Sequence, residues 1–173
     1  MIITIINGTN RVENKTINLS KKIVELAEQK GSNTNLITLE NFKELFTEKY
    51  INLLSGTPEQ IQDLQMINKS NIVIFVVPTY HNGIPASLKN FFDLVNDKTI
   101  WNNKIFGLVS SNNSSDAINQ TRTILNGVLS FNNSFSFITP KQAILNLHNI
   151  DENKASAFID HLREFTNKIK FAN

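Results

Sequence analysis

The sequence predicts an α/β protein in which helices cover both faces of a parallel sheet. Two observations carry that prediction. Three apolar runs, Ile2 to Ile6, Ile72 to Val77 and Ile105 to Val109, are short and β-branched, and they do not alternate with polar residues. Strands of that character are buried on both faces, which is the habit of parallel sheets. Helical patterns lie between the runs, with no linker, repeat or low-complexity stretch. Such alternation implies a doubly wound sheet.

The elements follow in order. After the first strand, Leu19, Ile23, Leu26 and Ala27 share one helical face, and the helix ends near Gly31. Asn35 to Leu39 reads as the second strand. The stretch from Asn41 to Gly56 is long for a connection, and a short helix is expected around Phe42 to Phe46. Thr57-Pro58-Glu59-Gln60 is a helix start with Thr at N-cap, Pro at N1 and Gln at N3. Ile61, Leu64 and Ile67 continue it on one stripe. After the third strand, Pro85 opens a helix with Leu88, Phe91, Phe92 and Val95 on one face; Phe91, Phe92, Leu125 and Leu129 serve either a subunit interface or the core, and core is the better reading for most of them. Trp101 stands in a polar loop with Asn102 and Asn103, either as a partly exposed interface residue or as a lid over the helix beneath. Ser115 to Leu129 is a helix after the fourth strand, and Phe135 to Ile138 a fifth strand. Asp151 caps a last helix carrying Ala155, Phe158, Ile159, Leu162, Phe165 and Ile169. Five strands and one terminal helix fit the flavodoxin-like order 2-1-3-4-5, a three-layer α/β/α sandwich, better than a six-strand dinucleotide fold. Residues 1–173 read as a single domain.

Composition excludes several chemistries. Cysteine is absent, which removes disulfides, Cys-ligated zinc, iron–sulfur clusters and thiol nucleophiles. His81, His148 and His161 have no metal-ligand spacing, so no metal is expected. The net charge of +2 comes from dispersed Lys and Arg, a pattern that does not suggest nucleic acid. Met1 to Asn7 is apolar but short and lacks a basic leader, so it reads as a strand and not a signal peptide. No window approaches about 18 uninterrupted apolar residues, so no membrane association is expected. The expectation is a soluble cytoplasmic protein. Asparagine is abundant, with 26 residues, and either a polar binding surface or a biased genome accounts for it.

Ligands of doubly wound sheets bind outside the carboxyl ends of the strands, where the strand order reverses. Three loops therefore matter. The first, Asn7 to Thr16, runs from a buried strand into a helix start, whose free N–H groups and partial positive charge favour phosphate. Gly8 permits close turning, Thr9, Asn14 and Thr16 offer hydrogen bonds, and Arg11 and Lys15 supply charge. It matches neither the Walker nor the GxGxxG pattern, and an ordinary polar helix cap fits it equally well. The second, Val77 to Asn90, holds two prolines and an Asn-Gly pair, which make a stiff turn. Its backbone N–H groups at His81 to Gly83 suit the edge of a planar heterocycle. Ordinary loop punctuation, with Tyr80 packed on a neighbour, is the competing reading. The third, Ser110 to Ser115, is small and polar and serves either hydrogen bonding or helix capping.

Together the loops carry a resemblance. The chain resembles the NAD(P)H-dependent FMN reductases, which include quinone, azo-compound and chromate reductases. That family shows Gly-Ser/Thr-x-Arg-x-x-Ser/Asn-x-Asn/Thr-x-x-Leu after its first strand; here Gly8, Thr9, Arg11, Asn14, Thr16 and Leu19 fill it. Its second pattern, Pro-x-Tyr-x-x-x-x-Pro-x-x-Leu-Lys-Asn-x-x-Asp, is met in register by Pro78, Tyr80, Pro85, Leu88, Lys89, Asn90 and Asp93. Three features depart from it: Ser and Asn replace glycines in the third loop, Thr79 replaces an acidic residue, and Asn82-Gly83 falls one position late.

The resemblance implies that Thr9, Arg11, Asn14, Lys15 and Thr16 hold the FMN phosphate. It implies that Pro78, Thr79, Tyr80, His81, Asn82 and Gly83 line the isoalloxazine, and that Ser110, Ser111, Asn112 and Asn113 contact its other side. Backbone N–H groups near Asn82 and Gly83 would support the flavin, and no side chain stands out as acid, base or nucleophile. The implied activity passes hydride from NADPH or NADH to FMN and on to a small-molecule electron acceptor, in a homodimer or homotetramer. Competing readings are an FMN-binding electron carrier or sensor, against which the +2 charge argues mildly, and an FMN-free interaction domain. A receiver-like signalling domain is disfavoured, because Asn7-Gly8-Thr9 lacks the acidic cluster that would hold magnesium.

Overall fold

The computed structural model describes residues 1–43, 50–110, 115–131 and 151–170. In chain order these form β1 (Ile2–Asn7), α1 (Thr16–Gln29), β2 (Asn33–Thr38), a 3-10 turn at Leu39–Phe42, α2 (Pro58–Lys69), β3 (Ile72–Val77) and α3 (Ala86–Leu94). A second 3-10 turn at Lys98–Trp101, β4 (Ile105–Ser110), α4 (Ser115–Phe131) and α5 (Glu152–Lys170) follow. The four strands are parallel and ordered β2-β1-β3-β4. This is the expected α/β architecture, and the order agrees with the first four places of the predicted one. The expected strand at Phe135 to Ile138 lies outside the described residues.

Every residue of β3 is buried. Its alternate side chains feed two separate cores. Val73, Phe75 and Val77 pack with Leu64 and Ile67 of α2, Leu88 and Phe91 of α3, and Leu125 and Leu129 of α4. Ile72, Ile74 and Val76 pack with Leu19, Ile23 and Leu26 of α1 and with Phe158, Ile159 and Leu162 of α5. A strand between two helical layers has no solvent face, which is why its sequence is apolar throughout. Each large apolar side chain buried this way stabilises by about 1.5–3 kcal/mol. An exposed ion pair such as Lys89–Asp93 on α3, at 2.6 Å, contributes about 0–1 kcal/mol. Burial, not charge, therefore holds the helices to the sheet.

Two helix starts form as the sequence predicts. The Thr57 hydroxyl accepts from the Gln60 amide while the Gln60 side chain accepts from the Thr57 amide, a complete capping box. Asp151 Oδ1 accepts from the Lys154 amide at the start of α5.

Two expectations are corrected. Trp101 is not a partly exposed interface residue: it is 1% exposed, with its ring packed against α3. The 3-10 turn, begun by Asp97 accepting from the Thr99 amide, carries its ring into an aromatic cluster with centroids 5.7 Å from Phe92, 6.1 Å from Phe91 and 6.3 Å from Phe75 and Phe106. Phe165 leaves the buried stripe of α5 and is 40% exposed. Helical periodicity instead buries Thr166, whose hydroxyl donates to the Leu162 carbonyl one turn back. A 3-10 turn stands at Leu39–Phe42, and the helix expected around Phe42 to Phe46 falls largely on residues 44–49, which lie outside the described residues. Further on, Ile51 donates to the Leu94 carbonyl and accepts from the Asn96 amide, strapping the connection across the end of α3.

Gly107 lets α5 lie close against β4. A Cβ there would stand 2.7 Å from Phe158 Cζ and 2.8 Å from Leu162 Cδ1. Lys104, just before β4, is buried and donates to the carbonyls of Asn68 and Ser70 at the end of α2. Burial pushes its amine down to about 8 from 10.5.

Two outcomes are expected from these contacts. Gly107→Ala should lower unfolding free energy by about 1–3 kcal/mol through overpacking; an unchanged urea midpoint would contradict the tight β4–α5 contact. For Lys104, the unfolded chain keeps a proton that the folded chain has lost between about pH 8 and 10.5. The Lys104 contribution to stability therefore rises with pH across that window. Lys104→Met should remove this rise, read as a pH-dependent difference in urea midpoints between the two proteins. A pH-independent difference would show that the amine titrates normally in the fold.

Candidate functional site

The sheet register brings the three loops to one edge. Asn7 of β1 pairs with Val76 of β3, and Val77 of β3 with Ser110 of β4, so all three strands end at the same level. The chain passes from β1 to β2 on one side and returns to β3 on the other. The reversal therefore lies between β1 and β3, where the first and second loops leave the sheet.

The first loop is anchored through its backbone. The Gly8 amide donates to the Val76 carbonyl at 2.8 Å. A Cβ on Gly8 would stand 3.1 Å from that carbonyl oxygen and 3.3 Å from Leu88 Cδ2, so a side chain would push the loop off β3 and α3. Polar groups then shape the loop from within. Asn14 Oδ1 accepts from the Ile17 amide at 2.9 Å, the Thr16 hydroxyl at 2.7 Å and Asn7 Nδ2 at 3.3 Å. Asn14 is thus the functional cap of α1, one residue before the N-cap position, where Lys15 makes no side-chain cap. Its own amide group donates to the Arg11 carbonyl at 2.7 Å, and Thr9 Oγ1 accepts from the Arg11 amide at 3.2 Å. Thr9 and Thr16 are buried, Asn14 is half-buried, and Arg11 and Lys15 are exposed. No backbone carbonyl among the described residues accepts from the amides of Thr9, Asn10 or Lys15.

The second loop is a tight turn. Tyr80 and Gly83 exchange two backbone hydrogen bonds, at 3.1 and 2.9 Å. The central residues His81 and Asn82 have φ of 49° and 59°. Positive φ at both central positions is type I′ geometry, which Asn and His tolerate better than most side chains. The Gly83 amide is committed to the Tyr80 carbonyl. The amides of His81 and Asn82, at the exposed tip, meet no backbone acceptor among the described residues. Pro78 is buried at the root of the loop, and Thr79, Tyr80 and Gly83 are half-buried.

Side chains tie the loops together. The Arg11 guanidinium carbon lies 5.6 Å from the centroid of the Tyr80 ring, joining the first loop to the second. The Thr79 and Ser110 hydroxyls are 3.4 Å apart, joining the second to the end of β4. Ser111, Asn112 and Asn113 lie outside the described residues.

Asn7 is a candidate site residue that the motifs do not include. It is 1% exposed, its amide group donates to the Thr9 carbonyl and Asn14 Oδ1, and its own Oδ1 is a buried acceptor with no partner. Such an orphan costs about 1–3 kcal/mol and marks a place where a further donor fits. An Asn closing an otherwise apolar strand, directly before Gly, was the available signal.

The arrangement offers anion donors at a helix start, two exposed cations and, next to them, the amides of His81 and Asn82 with no backbone acceptor among the described residues. That donor set suits a ligand with a phosphate at one end and a flat polar heterocycle at the other. Among the described residues there is no group of three metal-ligating acidic or His side chains.

Comparison with known proteins bears on this arrangement. Residues 1–143 match the family described as NADPH-dependent FMN reductase. Solved structures share the fold at low identity. The FerB flavoenzyme NAD(P)H:(acceptor) oxidoreductase from Paracoccus denitrificans superposes with a TM-score of 0.65 at 16% identity, over 98% of this chain and 97% of that one. An NADH:FMN oxidoreductase, EMOB, in its apo form gives 0.66 at 14% identity, over 96% and 89%. An azoreductase from Bacillus anthracis gives 0.55 at 14% identity, over 98% of each chain. With the family match spanning the strands and loops that build the site, the chain belongs to the NADPH-dependent FMN reductase family.

Proposed function

We propose that the protein is an FMN-dependent NAD(P)H oxidoreductase. Bound FMN supplies the redox chemistry: hydride comes from NADH or NADPH and leaves to a quinone, azo compound, free flavin or similar acceptor, donor and acceptor binding in turn. The observation that carries this reading is the meeting of the first and second loops at the reversal of strand order, within a family-matched chain.

The residues of this chain bind and orient. Arg11 and Lys15, with the open amides of Thr9, Asn10 and Lys15, hold the phosphate. The Thr9, Asn14 and Thr16 side chains keep that loop in shape, because their polar atoms already bond within it. Pro78, Thr79, His81, Asn82 and Gly83 line the ring, with the His81 and Asn82 amides as the donors available to it. Contact with the other side of the ring is assigned in this reading to Ser110, with Ser111, Asn112 and Asn113 outside the described residues. The absence of cysteine fits a protein whose reactive atoms belong to a cofactor. Assembly as a homodimer or homotetramer belongs to the same reading.

Purified protein should be yellow or become so with added FMN, absorbing near about 450 nm. A protein that stays colourless after reconstitution would end the proposal. Anaerobic NADH or NADPH should bleach that band, and failure of both would leave an electron carrier in place of a reductase. Arg11→Ala should weaken FMN binding by about 1–3 kcal/mol, the scale of a charge-assisted hydrogen bond. Equal affinity by titration calorimetry would place the phosphate elsewhere.

A further inference from the structure

We propose that Tyr80 is a positioning residue whose ring holds the Arg11 guanidinium ready for the cofactor phosphate, and is not a stacking partner of the isoalloxazine. This rests on the reading of the site as an FMN site. The backbone of Arg11 is pinned on both sides, its amide donating to Thr9 Oγ1 and its carbonyl accepting from Asn14 Nδ2. Its side chain is exposed, and among the described residues no carboxylate pairs with it. An unrestrained arginine would sample many rotamers and would have to be ordered when the ligand binds. The contact that restrains it is the Tyr80 ring, at 5.6 Å, within the range of a cation–π interaction.

The ring is itself a fixed platform. Tyr80 gives both its backbone N–H and its C=O to Gly83 across a turn with two left-handed residues. These bonds do not involve the side chain, so the phenol can be changed without opening the turn. A guanidinium carries its N–H donors around its edge, so with its carbon over the Tyr80 ring it keeps N–H groups for phosphate oxygens. One face of the Tyr80 ring is already occupied by that cation, which argues against its use for the flat heterocycle. The stack couples the two loops: the second holds the residue with which the first meets the anion.

The test compares FMN with riboflavin, which carries the same ring system without the phosphate, in fluorescence titrations of the full chain. Tyr80→Leu should weaken FMN about three- to tenfold while leaving riboflavin affinity within about twofold. Tyr80→Phe should restore FMN binding, since a phenyl face still accepts the cation. Combined with Arg11→Ala, Tyr80→Leu should add nothing to the loss from Arg11→Ala alone, because both remove one coupled contact. Equal losses for FMN and riboflavin would overturn the proposal and make Tyr80 a flavin contact. Additive losses in the double variant would overturn it as well. If the unaltered protein binds neither compound, the FMN reading itself fails and takes this inference with it.

Discussion

The burial of β3 is the constraint from which the architecture follows. A strand with no exposed residue must satisfy its backbone by pairing on both sides, here with β1 and β4, and must cover both faces with helices. Each face accepts only side chains that fit between sheet and helix. On one side this admits an aromatic cluster around Phe75 and Trp101. On the other it demands a glycine in β4, so that Phe158 and Leu162 can approach. Pairing also sets the level at which the strands end, so the three loops leave the sheet together.

From that shared edge the site is built mostly by polar groups that satisfy one another. Asn7, Thr9, Asn14 and Thr16 form a local network that caps α1 and shapes the first loop. Loops that carry binding groups need such support, because a donor that must first be ordered binds weakly. The network leaves one buried acceptor unmatched, at Asn7. It leaves the charge of Arg11 and Lys15 outward. The second loop achieves the same rigidity with backbone bonds and left-handed residues in place of side-chain bonds.

Much of this was legible in the sequence. Runs of β-branched residues and the stripe Leu19, Ile23, Leu26, Ala27 report burial directly, because local geometry turns burial into a spacing. Capping by Thr57 and Asp151 was readable for the same reason: both partners lie within one helical turn. The abundance of asparagine was less transparent. At Asn7 and Asn14 it is structural: the Asn7 amide group donates to Thr9 and Asn14, and the Asn14 amide both gives and takes hydrogen bonds. Nothing in composition separates those two from the asparagines on exposed turns such as Asn102 and Asn103.

The sequence by itself determined the type and order of the described elements, since these depend on neighbours a few residues away. It also carried the family, through residues held in register along two of those loops. Only the tertiary structure decided that Trp101 lies inside, that the Gly83 amide is used within its own turn, and that Arg11 rests on Tyr80. The burial of Trp101 and the Arg11–Tyr80 stack join groups from different elements. The Gly83 bond depends on which residues of a short loop take left-handed backbone. A polar neighbourhood in sequence therefore does not predict an exposed side chain, and an Asn-Gly pair does not predict which amide remains free. Those outcomes follow from how the packed sheet brings distant loops together, which no local spacing encodes.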